Sequence, residues 1–205
     1  HFFDVGGNNH HAIFEFGGDW YIAYHAQTLS KAMGHIGKGY RSTHLNRVFF
    51  DDSGAILDIQ ADYRGVEQVR ELDPYGRVEG ETFAWQAGVK TRQIAAEDPS
   101  QRALTDIHSG DWIALSRVNF GDQAAASFTA AVSNVQADGF IEIRIDGLDG
   151  QRIGTLQVHA AEVGLGWTEL TAELQPVQGV HDVYLIFYGS PDMPLFELDY
   201  WRLNR

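Results

Sequence analysis

Asp199 sits in the run Leu195–Leu203, LFELDYWRL, with Leu198 and Tyr200 on either side. A carboxylate among apolar neighbours needs a partner, and a bound cation is one candidate. Glu79 and Glu81 stand two residues apart in Val78-Glu79-Gly80-Glu81, which puts both on one side of a strand. Hard oxygen donors from two strands are the set that Ca²⁺ prefers. The alternative is a pair of solvated edge residues. The histidines invite a different metal, because six of the nine lie in the first 44 residues, His10, His11, His25 and His44 among them. They show neither HExxH spacing nor a third-ligand pattern, so they read as strand residues rather than zinc ligands. No glycine-rich phosphate loop leads a strand into a helix, and no Ser/His/Asp arrangement stands out.

The elements that must position these residues are strands. In Gly179–Leu203, Val183, Leu185 and Phe187 alternate with Tyr184, Ile186 and Tyr188. Both faces are apolar or aromatic, as in a strand buried in the middle of a sandwich. Ser190-Pro191-Asp192 then turns the chain into the run that carries Asp199. Further strands are predicted at Gly80–Trp85, Asp111–Asn119, Ala125–Ser133, Phe140–Asp146, Gln151–His159, Trp167–Glu173, Val180–Tyr188 and Leu195–Leu203. Short strands at this spacing, parted by turns such as Asp149-Gly150, predict a β-sandwich or jelly roll. Upstream, Ala12–Phe16 and Asp19–His25 flank Gly17-Gly18, a two-residue hairpin signal. A loop follows over Leu29–Gly39, then strands at Tyr40–Phe50 and Ala55–Gln60 around the turn Asp51-Asp52-Ser53-Gly54. Four antiparallel strands in so short a stretch have the form of one propeller blade, which is stable only against other blades.

Composition draws a line between the two regions. Residues 1–78 carry seven Lys/Arg against ten Asp/Glu, and residues 79–205 carry eight against eighteen. The seam falls near Leu72-Asp73-Pro74-Tyr75-Gly76, a Pro/Gly turn signal. The formal charge of −13 argues against a nucleic acid or an anionic membrane as main partner and favours a neutral ligand. No apolar run reaches transmembrane length. The absence of cysteine removes disulfides and thiolate metal sites without deciding the compartment. The chain begins at His1 without a leader pattern, and a processed or cut product is expected.

The second region carries a family resemblance. GDWIALSRVNFG (110–121), FIEIRIDGLDGQRIGTLQV (140–158), GWTEL (166–170), GVHDVYLIFYG (179–189) and LFELDYW (195–201) resemble, in order and spacing, a family 6 carbohydrate-binding module over residues 79–205. The resemblance implies a β-sandwich with a structural calcium, and matches Glu79, Glu81 and Asp199 to its ligands. It also implies a sugar cleft at the loop end, where two aromatic rings and an Asn hold a sugar ring. Trp167 falls on one aromatic position, and a flat indole covers the C–H face of a pyranose. Asp106 stands where the second ring is expected and Glu197 where the Asn is expected. A concave sheet face is the second possible location, with Trp112, Glu142, Arg144 and Tyr184 as contributors. Trp112 and Trp167 each read equally as packing residues, and a module that only braces its neighbour is a third reading.

In the first region, DVGGNNHHAIFEFGGDWYIAYHAQTL and YRSTHLN within residues 4–75 are similar to the last part of a glycoside hydrolase family 43 domain. That family is a five-bladed propeller, and the subgroup it most resembles contains secreted α-L-arabinofuranosidases and β-xylosidases acting on arabinoxylan, xylan or arabinan. The resemblance implies inverting hydrolysis by a carboxylate base and a carboxylic acid. None of Asp4, Glu15, Asp19 or Asp51 matches those positions, so the catalytic carboxylates are expected outside this chain. The missing blades would come from a companion polypeptide. His10 matches a histidine on the propeller axis near a bound calcium, and Arg41 matches an arginine that orients the acid and reaches the substrate. Local strand-end and surface roles remain the alternatives for both.

Overall fold

The computed structural model describes residues 10–28, 31, 34, 41–62, 65–164 and 166–205. Fourteen β-strands run through them, as the all-β reading requires, and Thr28 and Lys31 are helical. They form two compact units, divided between Val69 and Arg70.

In the first unit β1 (His11–Phe16), β2 (Asp19–Ala26) and β3 (Ser42–Val48) form an antiparallel sheet in that order. Gly17 and Gly18 close the β1–β2 hairpin with φ of 63° and 88°, the double left-handed geometry that a two-residue loop needs. Ile22, Tyr24 and Val48 make a small core with Ile59 and Ala61, and the Tyr24 hydroxyl donates to Asn46 Oδ1 at 2.7 Å. All of β1 is exposed, Ile13, Phe14 and Phe16 included. The predicted strand over Ala55–Gln60 does not form; it is reduced to one bridge between Phe50 and Ile56. Asp51 closes the turn before it, its Oδ1 accepting from the backbone N–H of Ser53 and of Ala55. The predicted loop Leu29–Gly39, apart from Lys31 and Gly34, lies outside the described residues, as do Tyr40, Asn8 and Asn9.

The second unit is a sandwich. One sheet runs β11 (Gln151–Val158), β10 (Gly139–Ile145), β13 (Gly179–Gly189), β8 (Trp112–Gly121) and β5 (Trp85–Ala87). The other runs β12 (Thr168–Glu173), β9 (Ser127–Ser133), β14 (Glu197–Asn204), β7 (Asp98–Thr105) and β6 (Lys90–Ala95), and β4 (Val78–Glu79) also pairs with β14. Ile113, Ile141, Ile143, Leu185 and Phe187 face Phe128, Val132, Leu198 and Trp201 in one continuous core. Trp201 stacks on Phe128 at 5.6 Å between ring centres. Each such side chain contributes about 1.5–3 kcal/mol by leaving water.

Two boundaries differ from those read in the sequence. Residues 70–78 pack with the sandwich rather than closing the first unit. Leu72 donates to Arg117 O and accepts from Asn119 N, both at 2.9 Å, and Leu203 N donates to Pro74 O at 2.7 Å. The Tyr75 hydroxyl donates to Phe120 O at 2.7 Å, and the Arg205 guanidinium lies 4.5 Å from the Tyr75 ring centre. The predicted strand Gly80–Trp85 is instead the short β4, a turn, and β5. Gly80 N donates to Asp199 O at 2.6 Å. A Cβ at Gly80 would stand 2.7 Å from Leu198 O, so only glycine permits this approach.

Candidate carbohydrate and cation sites

The strands of the five-stranded sheet send Ile141, Ile143, Leu185 and Ile113 inward, so their neighbours face out. Cross-strand register puts Arg144, Tyr184, Ala114 and Trp85 in one outward row, and Glu142, Ile186, Trp112 and Ala87 in the next. Trp112 and Tyr184 lie 6.0 Å apart, and Trp85 is 48% exposed at the sheet edge. Ala114, between them in the register, is wholly buried. Three aromatic residues thus surround a small residue on one outer face. At the far side, Phe140 and Tyr188 pack at 5.2 Å, beside a groove of about 600 Å³ lined by Glu142, Arg152, Thr155, Gln157 and Gln175. The Glu142 carboxylate is taken: Arg144 Nε donates to it at 2.5 Å and Arg152 Nη1 at 3.4 Å. Trp112, Glu142, Arg144 and Tyr184 therefore share a face, as the sequence reading had them. Trp85 was missed, although it ends a strand named in that reading.

Trp167 lies just before β12 of the other sheet. Thr168 pairs with Val132 and Glu197 with Ser133, which sets Trp167 and Glu197 on either side of Ser133 on the outer face. Trp167 is 38% exposed. Glu197 is buried and held by Arg92, whose Nε donates at 2.7 Å and whose Nη2 binds the second oxygen. Thr105 Oγ1 adds a bond at 3.2 Å and Asn134 Nδ2 one at 3.4 Å. Burial pushes the Glu197 carboxyl up, yet Arg92 and the two further donors outweigh it and hold it below the ordinary value. Asp106, with φ of 55°, pairs with Lys90 at 2.6 Å and His108 at 3.2 Å. Asp106 and Glu197 are thus both held in ion pairs.

The third cluster lies where β4 meets β14. Register shifts between Leu198 and Tyr200, leaving Asp199 as the extra residue of a bulge, which re-aims its side chain. Arg77 bridges Glu79 Oε1 at 2.7 Å and Asp199 Oδ1 at 2.9 Å, with its guanidinium 3.9 Å from the Tyr200 ring centre. Glu81, in the turn after β4, has a buried Oε2 with no hydrogen-bond partner. Burial raises the Glu81 carboxyl, Glu79 and Asp199 raise it further, and Arg102 opposes them. Burial likewise raises Asp199 against the pull of Arg77. Three carboxylates, one with an orphaned oxygen, are the hard donors a divalent cation takes, so the residues fit such an ion in charge and chemistry. No ready-made cluster of three metal-binding side chains occurs among the described residues, since Arg77 stands between two of the three. Arg77 was missed; its signal was the opposite charge of Glu79 two residues on.

In the first unit His10 is exposed, edge-on to His25 at 5.6 Å, and Arg41 is exposed just before β3.

The family model for carbohydrate binding module family 6 matches residues 79–205. The chain belongs to that family. Family 6 modules include solved examples such as that of Clostridium cellulolyticum in complex with xylose, which is 30% identical with a TM-score of 0.59 over 65% of this chain and all of its own. The likeness continues upstream of the module. A glycoside hydrolase family 43 arabinoxylan arabinofuranohydrolase from Bacillus subtilis, solved in complex with cellotetraose, is 41% identical with a TM-score of 0.90 over the whole chain. An arabinoxylan arabinofuranohydrolase of Paenibacillus polymyxa is 43% identical over 99% of the chain. This chain spans 42% of the former and 32% of the latter.

Proposed function

We propose that the chain is the C-terminal part of a secreted hemicellulose-degrading glycoside hydrolase. The enzyme is of the α-L-arabinofuranosidase or β-xylosidase type and acts by inversion on arabinoxylan, xylan or arabinan. The first unit supplies the last blade of a five-bladed propeller, and the sandwich binds plant cell-wall polysaccharide. Membership of the module family supports the binding role. Likeness along the whole chain to two arabinoxylan arabinofuranohydrolases supports the enzyme class. The exposed Ile13, Phe14 and Phe16 of β1 support further blades packed there, from the rest of a longer protein or from a companion polypeptide. The catalytic carboxylates belong to those blades. Arg41 orients the acid from this side, and His10 stands near a cation on the propeller axis.

The aromatic set Trp85, Trp112 and Tyr184 carries the binding assignment. Flat rings on one sheet face stack on the apolar faces of neutral sugar rings without a net charge on the ligand. Calcium is the cofactor assigned to Glu79, Glu81 and Asp199, where it would tie the last strand to the first electrostatically. The test is retardation in gels containing soluble arabinoxylan. Trp112→Ala should weaken binding about 10-fold or more, since an aromatic anchor is worth about 2 kcal/mol; Trp167→Ala should leave it unchanged. Loss of binding with Trp167→Ala alone would move the site to the loop end. A second reading, a sandwich that braces the propeller and binds no sugar, is favoured by the ion pairs at that loop end; absence of retardation of the unaltered chain would select it.

A further inference from the structure

His181 lies on β13, where that strand bulges against β8 between His181 and Val183. Its Nδ1 is 2.7 Å from Asp146 Oδ2, on the turn between β10 and β11, and its Nε2 is 2.9 Å from the carbonyl oxygen of Gln178, just before β13. Both partners are acceptors. A neutral imidazole has one N–H and so satisfies only one of them, whereas the imidazolium donates to both. We propose that His181 is held as an imidazolium and acts as a pH-sensitive staple that closes this end of the five-stranded sheet.

The surroundings are consistent with a cation. Asp146 has φ of 62°, and its backbone N–H donates to Asp182 O at 2.8 Å. Asp146 Oδ1 in turn accepts from Asp182 N at 3.2 Å. From β8, Ser116 Oγ and Arg117 N donate to Asp182 Oδ1 at 3.0 and 2.9 Å. The Arg117 guanidinium is directed to Glu71 at 3.0 Å. Phe120, also on β8, meets the imidazole edge-on at 5.9 Å. The charges acting on His181 are therefore the carboxylates of Asp146 and Asp182. Partial burial pushes the imidazole down, but the bonds to Asp146 and Gln178 and the two carboxylates outweigh it, and the net shift is upward.

A histidine raised on folding stabilises fully below its unfolded value, about 6.5, and that contribution disappears as pH rises through the folded value. The staple thus favours mildly acidic conditions. It joins β10, β13 and β8, the strands that also carry Glu142, Tyr184 and Trp112. The inference concerns folding alone and stands whatever the module binds. It is tested on the unaltered chain by ¹⁵N NMR of the histidine rings across pH 5–9, with His181→Gln used to assign the signal. The expected result is titration above the ordinary imidazole value, with both ring nitrogens protonated on the acid side of that titration. Melting temperatures of the chain and of His181→Gln should differ most at low pH and converge as pH rises. Titration at or below the ordinary value, or a difference in melting temperature that does not change with pH, would overturn the proposal.

Discussion

Glu197 shows how one side chain decides what a surface can do. Its carboxylate is buried, and two hydrogen bonds from Arg92 compensate the cost of removing it from water. Arg92→Ala leaves that charge with only Thr105 and Asn134, and should cost about 1–3 kcal/mol of stability. The pH dependence should change sign with it. In the native chain the lowered Glu197 carboxyl contributes stability above its unfolded value, and the contribution is lost as pH falls through the folded value. Without Arg92, burial dominates, the carboxyl rises, and stability falls as pH rises through it. Denaturation midpoints between pH 4 and 8 would show the reversal, and an Arg92→Ala profile parallel to that of the native chain would refute it. The identities of Glu197 and Asp106 were legible in the sequence as departures from a sugar-binding pattern. Their partners Arg92 and Lys90 were not, because they come from a hairpin that sequence patterning had left unassigned.

That hairpin, β6–β7, illustrates where strand signals fail. Residues 90–95 and 98–101 are mostly polar and largely exposed, so no period-2 alternation marks them. By contrast β10, β13 and β14 bury alternate or continuous apolar residues and were legible almost to the residue. Ala55–Gln60 failed in the opposite direction: its composition suits a strand, but the pairing with Phe49–Asp51 ends after the backbone bonds of Ala55 and Leu57. The turn signal at Asp73-Pro74 was correct as a turn, yet it does not end the packing, because Leu72 and Tyr75 hydrogen-bond to the β8 backbone. The working module should therefore begin at Arg70. A fragment of residues 79–205 should melt several degrees below one of residues 70–205, since it loses the bonds of Leu72 and Tyr75 and the cover they give the core edge. Equal melting temperatures would mean that residues 70–78 only decorate the sandwich.

The molecule as a whole combines a small sheet that exposes apolar side chains with a sandwich whose charged residues are heavily cross-linked. Around β14 the links run from Glu169 through Arg202, and from Asp199 through Arg77 to Glu79. If calcium joins that system at Glu81, a chelator should lower the melting transition of the sandwich. At a hundredfold excess of calcium over its dissociation constant the stabilisation would be about 2.7 kcal/mol, readable by calorimetry. An unmoved sandwich transition would remove calcium from Glu79, Glu81 and Asp199 and leave Arg77 as the cation that joins Glu79 to Asp199. The strand at Leu203 and the segment at Pro74 lie side by side, with Arg205 covering Tyr75. The sandwich is thus a portable part, with the first and last of its packed residues side by side at one corner. Such a unit can be spliced into a surface loop of an unrelated protein, or strung in series, with its aromatic face still turned outward.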